Sequence, residues 1–190
     1  MIKKENRKSN KDLFSVHSTA SKPRLCYESY LTRDTTMTNT HQSQKTIPRQ
    51  SADRVNHEFT QAAKILDEGM VAHVGFTVEG QPYVLPMAYA RQDNKLYLHG
   101  SSVSRLVKHL AAGFEVCVTV THLDGMVLAR STFGHSMNYR SVMIFGQAKL
   151  ISDTQAKDLA LKHLMEFLVP GRNKDARQAD EKELNATALL

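Results

Sequence analysis

The residues best suited to chemistry lie in LYLHGSSVSRLVKHLAAG, positions 96–113. Leu96, Tyr97 and Leu98 suit a strand. His99, Gly100, Ser101 and Ser102 form a small-residue turn. Ser102 or Ser104 is placed to cap a helix that reaches about Ala112, with Gly113 as its stop. Leu106, Val107 and Leu110 give that helix one apolar face. A helix start presents unpaired N–H groups and a partial positive charge. With serine hydroxyls beside it and Arg105 in its first turn, the stretch has the composition of a phosphate cradle. A plain strand–turn–helix connection uses the same residue types. His99 reads either as a contact to a ligand or as a solvent-facing histidine at a strand end.

A second constellation is FGHSMNYRSV, positions 133–142. His135, Ser136, Asn138, Tyr139, Arg140 and Ser141 crowd donors into what reads as a connection between strands. Arg140 suits a phosphate, or a carboxylate across an interface. His73, His109, His122 and His163 show no ligand spacing and read as structural or solvent-facing. No metal site is expected. No G-x-G-x-x-G follows a strand, and no P-loop or zinc spacing is present. Without a nucleophile–histidine–acid pattern, hydrolysis has little support.

The elements around these residues point to a mainly β, α+β domain. Val55, Phe59, Ala62, Ala63 and Leu66 fall at helical spacing, with Gly69 as the stop. Strands are expected over 71–78, 83–90, 96–99, 114–121, 126–133 and 139–151. Glu79-Gly80 reads as a hairpin turn, and Asp124-Gly125 as another. Pro82 and Pro86 push their strand toward an edge or a bulge. Ser152 and Gln155 make a capping box for a helix over 154–168. Residues 171–183 read as charged loop, and ELNATALL at 183–190 as the beginning of a further strand. Short, closely spaced strands suggest an antiparallel barrel.

The chain of 190 residues carries a formal net charge of +6. Residues 1–36 hold eight Lys/Arg against four Asp/Glu, so most of the excess lies outside the expected core. No nucleic-acid surface is expected from the remainder. Residues 1–50 are polar and aperiodic and are read as a disordered extension, with Met37 as an alternative start. The folded domain is expected over 51–190. Cys26 and Cys117 form no disulfide or metal pattern, which favours a reducing, cytoplasmic setting. No apolar run reaches roughly 18 residues, so no membrane-spanning helix is expected.

Three pieces in order carry a resemblance: YLHGSSVSR at 97–105, VCVTVTHLDGMVLARS at 116–131 and HSMNYRSVMIFG at 135–146. With them, residues from about 47 to 190 resemble the pyridoxamine 5′-phosphate oxidase-like flavin-binding proteins. The nitroimidazole-resistance branch is the nearest look-alike. The resemblance implies a split antiparallel β-barrel with flanking helices. It implies FMN bound between the subunits of a homodimer. It also implies that Ser101, Ser102, Ser104 and Arg105 hold the flavin phosphate and that the strand at 83–87 runs alongside the isoalloxazine. His99 would lie close to the flavin, and Arg140 and Ser141 would reach the cofactor or the dimer partner. The family pattern runs on past ATALL, so a short last strand is expected here.

The function expected is that of an FMN-dependent oxidoreductase acting on a small electron acceptor, a nitro-aromatic among the candidates. Flavin carries the redox chemistry, and His99 would orient substrate or assist protonation. The alternatives are a flavin carrier or sensor without turnover, and a split barrel that binds deazaflavin or haem.

Overall fold

In the strand Val71–Val78 the side chains of Ala72, Val74 and Phe76 are buried, while Val71, His73 and Thr77 face outward. That period of two is what a half-buried strand demands. A computed structural model describes residues 13–18, 46, 47, 49 and 52–190. Its strands in chain order are β1 (Leu13–Ser18), β2 (Val55–Asn56), β3 (Val71–Val78), β4 (Gln81–Gln92), β5 (Lys95–Ser101), β6 (Val116–Val127), β7 (Ser136–Gly146) and β8 (Thr187–Leu189). The helices are α1 (Phe59–Glu68), α2 (Arg105–Ala111), α3 (Thr154–Leu168) and α4 (Glu181–Ala186). The sheet order is β2-β1-β7-β6-β3-β4-β5-β8, and the paired strands are antiparallel.

The β3–β4 hairpin follows from its turn. Glu79 and Gly80 both have positive φ, 50° and 81°. Two such residues match the right-handed twist of the flanking strands. The two-residue loop fixes the register: Val78 faces Gln81 and Phe76 faces Tyr83. β4 pairs with β5 only from Tyr89 to Gln92. Among the described residues no strand pairs with the outer edge of its first half, which is where Pro82 and Pro86 are tolerated.

Asp124-Gly125 does not turn the chain. β6 continues through it to Val127, and the ladder to β7 shifts register between Leu123 and Gly125. Asp124 is thus the extra residue of a bulge, a role that Asp-Gly chemistry fills as readily as a hairpin turn. In consequence, the expected strand at 126–133 and the polar connection at 133–142 are replaced. β6 and β7 form one long ribbon joined by a short 3-10 turn, Thr132–Gly134. The cap of α3 also lies one residue later than expected. Asp153, not Ser152, accepts from the Ala156 N–H at 2.7 Å.

Two elements arise where loop or disorder was expected. α4 occupies the end of the charged stretch because Asp180 and Glu183 form a reciprocal capping box. β1 lies within the extension read as disordered, where LFSVHS has the β-forming residues to add to β7. Apart from residues 46, 47 and 49, the remainder of that reading, Met37 and Cys26 included, lies outside the described residues. At the other end the expected strand is present. Leu189 pairs with His99, and Leu190 exchanges backbone hydrogen bonds with Leu98 at 3.0 and 3.1 Å.

The core gathers Ala62, Ile65 and Leu66 of α1 against Val74, Val118, Val120 and Val142. Gly69, just after α1, closes this packing. A Cβ there would come within 2.4 Å of Tyr89 Oη and 2.9 Å of Val120 Cγ1. Both neighbours are held in the core. Gly69→Ala is expected to destabilise the fold by about 1–3 kcal/mol. Urea denaturation of the variant measures this, and an unchanged midpoint would show that the helix end has room to move.

Candidate functional site at the start of α2

α2 begins where Ser104, in extended backbone conformation, turns its hydroxyl to accept from the Val107 N–H at 3.1 Å. Leu106, Val107 and Leu110 are buried. This fixes the helix roll and leaves Arg105 facing solvent at the first turn. The helix ends before Gly113, close to expectation.

Arg105 is oriented by one neighbour. Its Nη1 donates to Tyr83 Oη at 3.0 Å, and its guanidinium carbon lies 5.3 Å from the Tyr83 ring centroid. Tyr83 is stacked on its cross-strand partner Phe76, with centroids 5.3 Å apart and planes 20° apart. His109, one turn after Arg105, packs on Phe76 at 5.1 Å, and Phe114 stacks on His109 at 4.8 Å. Arg105 forms no ion pair among the described residues. A guanidinium without a carboxylate keeps its charge available to an anion.

The serines divide. Ser101 is exposed, and its hydroxyl has no hydrogen-bond partner among the described residues. Ser102 donates from both N–H and Oγ to the Ala186 carbonyl, each at 3.1 Å, and so joins the turn to the end of α4. Ser104 is the cap. Two of the three serines expected to hold a ligand therefore already serve the fold, although a hydroxyl that donates once can still accept.

His99 sits in β5 two residues before Ser101. Alternation puts both on one face of the strand. Its Nδ1 is buried and has no hydrogen-bond partner among the described residues. Such an atom is costly unless something else satisfies it.

Arg140 and Ser141 lie elsewhere. Arg140 donates from Nε and Nη2 to Asp124 at 3.0–3.2 Å, and its Nη1 lies 2.7 Å from Glu68 Oε2. The Asp124 hydrogen bond does most to raise the Arg140 pKa above its ordinary value; partial burial opposes it and Glu68 reinforces it. This arginine ties the β6 bulge to the end of α1. Ser141 is buried in β7, opposite Thr121. The structure thus groups Ser101, Ser102, Ser104 and Arg105, with His99 on the adjoining strand. The polar contacts of Arg140 run to Asp124 and Glu68, not to that group.

Two of the histidines read as structural are structural. His122 Nε2 lies 2.9 Å from the Ile65 carbonyl, and His163 Nε2 lies 3.0 Å from that of Arg91. Among the described residues no cluster of histidine, cysteine and carboxylate side chains could hold a metal, and no helix is long and apolar enough to cross a membrane. A cavity of about 1170 Å³ opens between the barrel and α3, lined by Leu96, Leu98, Val118, Ile144, Leu159 and Leu190. None of the expected site residues lines it. Sequence reasoning missed Tyr83 as a partner of Arg105. The signal was available: a two-residue loop at 79–80 makes positions 76 and 83 opposite, and both are aromatic.

The family model described as pyridoxamine 5′-phosphate oxidase matches residues 59–190. Among solved structures, the FAD and heme binding protein of Mycobacterium smegmatis is 36% identical, with a TM-score of 0.66 over 70% of this chain and 64% of that one. A flavocytochrome from Azotobacter vinelandii is 40% identical, with a TM-score of 0.65 over 70% of this chain and 61% of that one. This chain therefore spans less than two thirds of the length of either. A putative 5-nitroimidazole antibiotic resistance protein from Bacteroides thetaiotaomicron is 26% identical, with a TM-score of 0.58 over 70% of this chain and 76% of that one. No curated protein matches the chain significantly. The fold is the expected split antiparallel β-barrel with flanking helices.

Proposed function

Because the chain belongs to the pyridoxamine 5′-phosphate oxidase-like family, we propose that it is a flavin-dependent oxidoreductase whose flavin phosphate is held at the start of α2. The observation that carries this reading is Arg105: exposed, paired with no carboxylate among the described residues, fixed on Tyr83, and four positions after the exposed Ser101. The donor set fits a phosphate monoester. Arg105 supplies charge and a planar fork of N–H groups, and Ser101 supplies a hydroxyl donor. Ser102 and Ser104 shape the turn and offer hydroxyl lone pairs or the cap itself. The unsatisfied Nδ1 of His99 is a polar group in want of a partner on the same strand face. It would meet the ligand as donor or acceptor according to its tautomer.

When bound, a flavin supplies two-electron transfer to a small acceptor, a nitro-aromatic among the candidates. The chain's own residues bind and orient. Arg105 and Ser101 anchor the phosphate end, and the 83–87 edge of β4 provides apolar surface, with Val84 exposed on one face and Leu85 on the other. His99 holds a proton near the acceptor. The same edge, together with Leu123, Met126, Leu128 and Phe133 on the exposed β6–β7 ribbon, is too apolar to suit a monomer surface. A homodimer that encloses the flavin would cover it. The reading places the protein in the cytoplasm and gives it no nucleic-acid partner.

FMN is the flavin proposed, since a single phosphate matches a single arginine. A second reading takes FAD, with haem as a further group, and is favoured by what the 36% and 40% identical proteins are named for. The visible spectrum of the purified protein, taken before and after adding FMN and removing the excess, tests both. Retained flavin bands support the first reading. A Soret band, or retention of FAD in preference to FMN, supports the second. A folded protein that retains no flavin overturns the proposal, and flavin retention without NAD(P)H-driven turnover makes it a carrier or sensor.

A further inference from the structure

We infer that Tyr83 is the positioning residue for Arg105 and thereby sets how strongly the site prefers phosphorylated over unphosphorylated flavin; this rests on the proposed cradle. An arginine at the first turn of a short exposed helix would ordinarily sample many rotamers, and ordering it on binding would cost affinity. Here the ordering precedes the ligand. The Tyr83 hydroxyl accepts from Nη1 at 3.0 Å, and the guanidinium lies over the ring at 5.3 Å. The hydrogen bond uses one N–H, and the others remain available to an anion. The charge is not cancelled, because a phenol is neutral.

Tyr83 is itself held. It stacks on Phe76, its partner across the hairpin, and Phe76 is in turn packed by His109 from the helix that carries Arg105. Arg105 and His109 are four residues apart, so they rise from one face of α2. One helix face thus meets one cross-strand aromatic pair at two points. Arg105 rests on Tyr83, and His109 rests on Phe76. This double contact sets the helix start against the β4 edge and fixes where the guanidinium stands. The arrangement is a specificity device, since what it fixes is the charge that meets the phosphate end of a ligand.

The test compares FMN with riboflavin, which lacks the phosphate, by titrating each into the full chain and taking the ratio of Kd values. Tyr83→Phe keeps the ring and the stack and removes only the hydrogen bond. It is expected to lower the preference for FMN over riboflavin about five-fold. Tyr83→Leu removes the ring as well and is expected to lower it about twenty-fold. In an Arg105→Ala background, Tyr83→Phe should have no further effect on the ratio, because the partner it positions is gone. A loss of stability alone would weaken both ligands together and leave the ratio unmoved. An unchanged ratio in Tyr83→Phe and Tyr83→Leu, or the same drop with Arg105 absent, would overturn the inference while leaving the cradle standing. A wild-type chain with no preference for FMN over riboflavin would overturn the cradle, and this inference with it.

Discussion

Replacing Arg105 with alanine is expected to weaken FMN binding by roughly ten- to a hundred-fold, the equivalent of about 1.5–3 kcal/mol for a hydrogen bond to a charged group. Riboflavin binding should stay within about two-fold of wild type. The asymmetry follows from the geometry. Arg105 makes no ion pair among the described residues and is itself exposed, so its removal takes away charge and uncovers one face of Tyr83 without opening a buried cavity. The helix itself should survive, since alanine is the best helix former and the cap is made by Ser104. Because the guanidinium is exposed, the loss should shrink as salt is raised and screens the attraction that only the wild type has. Fluorescence titration at low and high ionic strength reads all of this. Equal FMN affinity in the variant and wild type at low salt would remove Arg105 from the site and leave Ser101 and His99 without their anchor.

Much of the architecture was legible in the chain because the deciding signals are local. The β3 alternation, the Glu79-Gly80 turn and the Ser104 cap each act over a few residues, and each is found where the residues imply it. The failures share a cause: one local signal serves two tertiary outcomes. Asp124-Gly125 suits a hairpin turn and a bulge equally. Only the long ladder of β7, and the ion pair from Asp124 to Arg140, choose the bulge. The dense donors at 133–142 read as a binding loop for the same reason. With β6 carried through, most of them become strand residues, and Arg140 is consumed by Asp124 and Glu68. α4 went unseen because a charged six-residue helix has little propensity signal. It rests on its capping box and on Lys157 Nζ, which donates to the Leu184 and Thr187 carbonyls at 3.0 and 3.1 Å. The division of labour among the serines lay beyond the sequence altogether. Ser102 is claimed by Ala186, a residue 84 positions away.

Stability should respond most strongly at Tyr89. Its ring is fully buried at the centre of the core, and its hydroxyl donates to the Leu66 carbonyl at 2.6 Å, closing the end of α1 onto β4. Phe167 of α3 packs against the same ring at 5.9 Å. Tyr89→Ala empties that space and is expected to cost about 3–5 kcal/mol. Tyr89→Phe keeps the packing, leaves the Leu66 carbonyl with the Gly69 N–H at 3.4 Å as its remaining partner and is expected to cost about 1 kcal/mol. The difference between the two variants separates packing from hydrogen bonding. The phenol adds a pH dependence of known sign. Burial first, and then the charge of Asp67, push its pKa above the ordinary value of 10.0, with Arg91 opposing. The folded state therefore holds this proton more tightly than the unfolded chain does. Its contribution is fully present below pH about 10 and is lost as the unfolded phenol begins to ionise above that. The stability gap between wild type and Tyr89→Phe should be constant from neutral pH to mildly alkaline pH and then narrow. Urea denaturation of both proteins along that pH series measures the gap. A gap that widens with rising pH would mean that the phenol is ionised in the fold, and that Leu66 is not its hydrogen-bond acceptor.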